Sequence, residues 1–171
     1  MVIEHRAFPL RPAPAASVPF TGTYREEGWR RCGAMAAADG IVFTPWPHGS
    51  LPRWSVPALA TAKCVAKLGD QALTERVHLA LYEALFTRSL DISDLDVLAT
   101  VVGEQGGDAA RVRADLEAGI GRDEVLADYE AAVGEHGVRA IPAVIVPATG
   151  SAIVGLAEAA VYRAAVEEAA G

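Results

Sequence analysis

The sequence predicts a mostly helical α/β protein, and three observations lead to that fold class. The chain has 171 residues, 51% of them hydrophobic, and it is rich in alanine, the strongest helix former. Several stretches repeat apolar residues at helical spacing. Near both ends, Val2–Leu10 and Arg139–Val146 instead have the alternation or the β-branched content of strands. This length suits one domain, or one domain with a subdomain.

The first elements are a short strand, a loop and a helix. Val2–Leu10 roughly alternates between apolar and polar residues, and a proline-rich loop follows it. Thr23 lies three residues before Glu26, which is the spacing of a capping box. The sequence therefore predicts a helix from about residue 24 to residue 39 that stops at Gly40.

Five more helices are expected before the C-terminal strands. Three of them are predicted from a capping residue followed by an apolar face: Ser55, Ser93 and Asp108. The apolar faces of the other two predict helices that begin at about Asp70 and Asp123. The helix after Ser55 should end at Gly69 and the helix from Asp123 at Gly137, because glycine is frequent just after a helix.

The C-terminal part is predicted to be a hairpin and a helix. Residues 138–146 form an apolar run, a turn with the sequence PATGS follows, and residues 152–155 form a second short strand. A final helix should span about residues 156–169. Pro142 is unusual inside a strand because proline has no N–H to complete a ladder. A cis bond before it, with its open side facing a site, would accommodate it.

Composition excludes several classes of function. The net charge is −7 and the basic residues are not clustered, which argues against nucleic-acid binding. No apolar run reaches the roughly 18 residues of a membrane span, and the N-terminus lacks the apolar segment of a signal peptide. We therefore expect a cytoplasmic protein. Its two cysteines, Cys32 and Cys64, do not predict a disulfide framework.

Other candidate sites are few. The histidines have no spacing typical of a zinc site, and no metal is expected. Trp46 and His48 lie in a loop rich in proline and aromatic residues. They would either line a substrate groove or simply pin the loop onto the helices.

The ordered set of segments resembles a known family. A helix, then GVRAIPAVIV, a turn, AIVG and a last helix resemble the C-terminal half of the thioredoxin fold. VIEHRAFPLRPAP, PRWSVPALATAKCVAKLG and LYEALFTRSLDISDLDVLATVVGEQGGD narrow this resemblance to the DsbA-like family with a large helical insertion, including its FrnE-type cytoplasmic members. The resemblance covers nearly the whole chain.

The resemblance implies a fold and a substrate-binding site. Residues 1–23 and 121–171 would form a partial thioredoxin-like domain, and residues 24–120 a helical insertion. Ile141–Pro142 would be the cis-proline element, with Ala140 and Ile141 in place of the family's usual Gly-Val. In the family, the residue before that proline offers its backbone to a bound peptide or thiol.

The resemblance also indicates which segment of the family fold is missing from this sequence. Family members begin with a strand, a Cys-x-x-Cys motif and a helix, but here Cys32 and Cys64 are far apart and neither is expected at a helix N-terminus. We therefore assign no catalytic residue. In the family, the absent strand lies between the strands corresponding to Val2–Leu10 and to residues 143–146. Three arrangements would fill that position. The two flanking strands could pair directly, a homodimer could cover the open sheet, or the sequence could be part of a longer natural protein. We favour the longer natural protein.

Three functions follow as hypotheses. The first is a DsbA-family thiol–disulfide oxidoreductase, truncated or redox-inactive as given, that acts on a protein or small-molecule thiol or disulfide. The second is a relative of the glutathione-dependent isomerases and kappa-class transferases, with glutathione or another small thiol as cofactor. The third is a non-catalytic binding or dimerisation module.

Overall fold

A computed structural model describes residues 4–170, and within them it contains seven α-helices and one β-hairpin. The helices are α1 (Tyr24–Ala36), α2 (Val56–Ala66), α3 (Gln71–Phe86), α4 (Leu95–Glu104), α5 (Ala109–Glu117), α6 (Arg122–Gly134) and α7 (Ala159–Ala170). A 3-10 turn, Ala37–Asp39, extends α1 to the predicted stop at Gly40. The strands β1 (Ala143–Val146) and β2 (Ser151–Val154) lie between α6 and α7, so the predicted order from residue 24 onwards is confirmed.

The predicted first strand is wrong over the residues that the structure describes. Residues 4–10 are irregular, while Val2 and Ile3 lie outside the described range. The alternation behind the prediction is still present as burial, because Ala7 and Pro9 are buried. Ala7 packs with Val56 and Val125, so this segment lies against helices instead of joining a sheet.

Two predicted caps, Thr23 and Asp108, form as expected, and Asp70 caps the helix that was predicted to begin there. The Thr23 hydroxyl accepts from the Arg25 N–H at 3.3 Å, and Asp70 and Asp108 each accept from the N–H three residues later at 2.9 Å. These side chains satisfy amide groups that have no partner inside their own helix, which explains why the helices begin at these points.

Two other predicted caps are wrong. The hydroxyl of Ser55 precedes α2 but makes no cap, because it accepts from the main-chain N–H of Arg11 at 3.1 Å. The cap of α4 is Asp94 instead of Ser93, and its carboxylate accepts from the Asp96 N–H at 2.8 Å. A charged carboxylate is the stronger acceptor for such an amide.

The chain divides into two compact units, Met1–Ala127 and Asp128–Gly171. The first, which we call the helical unit, has a core built from α2, α3, α4 and α5. Val65, Val77 and Val101 in this core are completely inaccessible to solvent. The domain organisation implied by the resemblance stays a prediction.

The second unit, the hairpin unit, contains β1, β2 and α7. The two strands pair antiparallel, with Ala143 opposite Val154 and Val146 opposite Ser151. Strand β1 is shorter than the predicted 138–146 because Pro142, which has no N–H, ends the ladder. None of the helices described is long and apolar enough to cross a membrane.

Candidate functional site

The loop before β1 carries three of the predicted site residues. Ala140, Ile141 and Pro142 are all exposed, and the peptide bond between Ile141 and Pro142 is cis. The carbonyl of Pro142 accepts from the Gly155 N–H at 2.8 Å, which continues the β1–β2 ladder by one hydrogen bond. The loop is therefore tied to the hairpin at its last residue and is open to solvent before it.

The outer edge of β1 offers unused main-chain groups. In an antiparallel pair, successive residues direct their N–H and C=O groups alternately toward the partner strand and away from it. The bond between Pro142 and Gly155 sets this alternation, so the amide groups of Ala143 and Ile145 are directed away from β2. Ile141 makes no main-chain hydrogen bond to any residue that the structure describes. An extended segment can pair with this edge.

The aromatic loop belongs to the helical unit. Trp46 is only 8% exposed, its indole N–H donates to the Ser50 carbonyl at 3.0 Å, and its ring packs beside those of Phe20 and Trp29. His48 is exposed, and its ring lies 5.2 Å from that of Trp46, measured between centroids. The packing of Trp46 matches the expectation of a loop pinned onto the helices.

Trp46 also lines a cavity of about 510 Å³ between α1 and the loop that follows it. Phe20, Trp29 and Phe43 form aromatic walls, and Arg30 contributes a cation. Sequence reasoning missed Phe20 and Trp29 as partners of Trp46. The sequence does contain a signal for this cluster, because aromatic residues occur shortly before and after α1 and α1 itself contains Trp29.

The residues predicted as a binding site therefore fall into two groups. Trp46 and His48 are in contact with each other in the helical unit, while Ala140, Ile141 and Pro142 are consecutive in the hairpin unit. Their joint role in one binding site stays a prediction.

The two cysteines differ in their surroundings. Cys64 is 1% exposed, and its thiol donates to the Ile120 carbonyl at 3.3 Å. Burial raises the pKa of the Cys64 thiol, and the nearby carboxylate of Asp115 raises it further. Cys32 is exposed in the middle of α1, away from the N-terminus of that helix. Neither environment is that of an activated nucleophile.

The histidines form one close pair. The rings of His5 and His78 lie 5.7 Å apart, and burial lowers the pKa of His78, with a smaller contribution from His5. Within residues 4–170, no three histidine, cysteine, aspartate or glutamate side chains lie close enough together to hold a metal ion.

Comparison with known proteins gives consistent results. The sequence model of the DSBA-like thioredoxin domain matches residues 2–167. The structure is similar to that of a probable DsbA oxidoreductase from Streptomyces coelicolor, with 28% identity, a TM-score of 0.76, and coverage of 98% of this chain and 74% of that one.

A second solved structure shares the fold. It is a candidate protein disulfide isomerase from Nitrosomonas europaea, with 16% identity, a TM-score of 0.70, and coverage of 92% of this chain and 78% of the other. A search of curated proteins gives no significant match.

Proposed function

Because the chain belongs to the DsbA-like thioredoxin family, we propose that it binds the main chain of a thiol or disulfide substrate at Ile141 and the adjoining edge of β1. The substrate is a protein or a small molecule. In this proposal, these residues supply the substrate-binding side of thiol–disulfide exchange and not the attacking thiolate.

The unused main-chain groups at the edge of β1 carry the proposal. Ile141 is 44% exposed, and its N–H and C=O have no partner among the described residues. Extended peptides add to free sheet edges through main-chain hydrogen bonds, which give affinity without requiring a particular side chain. The main-chain groups of Pro142 face β2, so Ile141 follows Ala143 as the next residue with unused main-chain groups.

The environments of both cysteines support the proposal that this chain does not supply the attacking thiolate. Disulfide exchange requires a thiolate, and its rate depends on the thiolate fraction and on access. The thiol of Cys64 is inaccessible and its pKa is raised, and Cys32 lies in the interior of a helix. We therefore expect this chain to show only background activity in an insulin-reduction assay with dithiothreitol.

Binding is tested by NMR titration with a cysteine-containing peptide, its disulfide-linked dimer and glutathione. The amide signals of Ile141, Ala143 and Ile145 should shift, because they are the groups that would pair with the ligand. Ile141→Ala should retain binding since it keeps the N–H, and Ile141→Pro should lose it. Shifts absent from this edge, or equal binding by Ile141→Pro, would rule out the proposal.

The activity assay separates the alternatives. Reduction of insulin above background that is lost in Cys64→Ser would contradict the assignment of the cysteines as non-catalytic. Saturable binding of glutathione alone, without peptide binding, would support the relative of glutathione-dependent isomerases and transferases instead.

A second candidate, a dimerisation or binding module, is favoured by the exposed apolar residues of the hairpin unit. Val144 is 40% exposed, Val154 57% and Leu156 76%, although all three are apolar. Under this alternative, light scattering after size exclusion would give the mass of a dimer, and Val144→Lys would convert it to a monomer. Leu79→Lys is the matched control, because Leu79 is 68% exposed on α3 of the helical unit.

A further inference from the structure

A second cavity in the helical unit contains two arginines and no acidic partner. Its volume is about 630 Å³, within the range of small-molecule sites. Apolar side chains form much of its wall, among them Val18, Trp29 and Phe86. Arg11 and Arg25 also line it, whereas none of its lining residues is an aspartate or a glutamate.

Arg11 is half-buried, and part of its guanidinium lacks the partner that a buried polar atom normally has. Its Nε atom is buried without a hydrogen-bond partner, and the side chain makes no ion pair with the described residues. Burial lowers the pKa of Arg11, and the charge of Arg25 lowers it further. A half-buried cation beside a second cation is stabilised when an anion joins them.

The main chain holds Arg11 in this position. Its N–H donates to the Ser55 hydroxyl at 3.1 Å, and its carbonyl accepts from the Ser55 N–H at 3.2 Å. Further along the same loop, the Ala15 N–H donates to the Arg53 carbonyl at 3.0 Å. The Arg11 side of the cavity is therefore fixed by hydrogen bonds to the segment that precedes α2.

Arg25 brings the second charge from the first turn of α1. Its guanidinium lies 4.6 Å from the centre of the Tyr24 ring, and one of its N–H groups donates to the Pro19 carbonyl at 3.4 Å. The remaining donors are free of any acidic group among the described residues. Arginine is well suited to binding carboxylates because its planar fork presents two parallel donors.

We propose that this cavity binds a small organic carboxylate, with the carboxylate between Arg11 and Arg25 and an apolar body against Val18, Trp29 and Phe86. The positive charges of the two arginines favour an anionic ligand, although the whole chain has a net charge of −7. The apolar walls of the cavity favour a ligand with an apolar or aromatic part over a bare inorganic ion. The cavity is lined by residues of the helical unit alone, and its proposed ligand does not depend on the proposed function.

The test is a calorimetric titration of the full chain with 1-naphthoate, with uncharged 1-naphthamide and with inorganic phosphate. Naphthoate should bind saturably. The amide and phosphate should each bind with an affinity at least about tenfold lower. Equal affinity for naphthoate and naphthamide would show that the arginines do not recognise the charge. Absence of saturable naphthoate binding would also overturn the proposal.

Matched variants locate the site. Arg11→Met and Arg25→Met should each weaken naphthoate binding by about tenfold or more. Arg30→Met removes the same charge from the same helix but lines the other cavity, so it should bind as the unsubstituted chain does. A comparable loss in Arg30→Met would overturn the assignment. Far-UV circular dichroism checks the fold of each variant, and Arg25→Met alone decides the outcome if Arg11→Met does not fold.

Discussion

The helical unit and the hairpin unit bury their apolar residues to different extents. Val65, Val77 and Val101 of the helical unit are 0% exposed, whereas Val138 is the only buried hydrophobic residue among the described part of the hairpin unit. Helix α7 has no buried residue at all. A two-stranded hairpin is at best marginally stable by itself. The stability of the chain therefore rests mainly on the helical unit, while the hairpin unit keeps the accessible surface and main-chain groups that binding requires.

Hydrogen exchange should show the largest difference between the units. The Ile145 amide is directed away from β2, so we expect it to exchange about a thousandfold faster than the Val101 amide inside α4. The measurement is native-state exchange followed by NMR, with the Val144 amide as the paired control in the same strand. If Ile145 exchanged as slowly as Val101, another chain or segment would have to cover this edge.

A matched pair of substitutions should show the next largest difference. Val101→Ala removes two methyl groups from a completely buried position and should lower the free energy of unfolding by about 2–3 kcal/mol. Val144→Ala makes the same chemical change at a position that is 40% exposed and should cost less than about 1 kcal/mol. Urea unfolding at neutral pH measures both values. Similar losses in the two variants would contradict the contrast between the units.

Acidification should produce the smallest effect, and it should come from the helical unit. The pKa of His78 is lowered in the folded state by burial and by His5, so the unfolded chain binds a proton more readily. This contribution to stability is complete above the unfolded pKa of about 6.5 and is lost as the pH falls through the lower folded value.

The His78 prediction is checked by urea unfolding at several pH values between 8 and 5. His78→Gln should lose less stability over this interval than the unsubstituted chain, and the difference between the two isolates His78 from the carboxylates. Identical pH profiles for the two proteins would show that His78 is not responsible.

Much of the fold could be predicted from the sequence because its signals are local. The thioredoxin-like α/β class is confirmed by the family match over residues 2–167. The caps at Thr23 and Asp108 were predictable because a capping side chain acts within three residues of itself.

Two of the errors arose where a distant partner decides the outcome. Ser55 has the residue type of a cap, but its hydroxyl is occupied by Arg11, which is 44 residues away. The segment around Ala7 has the alternation of a strand, but a strand needs a neighbour, and Ala7 packs on helices instead. The arginine cavity could not be predicted either, since Arg11 and Arg25 come together only after the loop and α1 have folded.

The free edge of β1 is bracketed by two prolines, Pro142 and Pro147. The main-chain groups of Pro142 face β2, but Pro147 follows Ile145 by two residues and has no N–H to offer at the free edge. An incoming strand can therefore receive main-chain N–H groups only from Ile141, Ala143 and Ile145, and a strand shifted by two residues would lose one of these pairing positions. So short a pairing edge also disfavours continued edge-to-edge addition of strands into fibrils, which an accessible edge would otherwise favour.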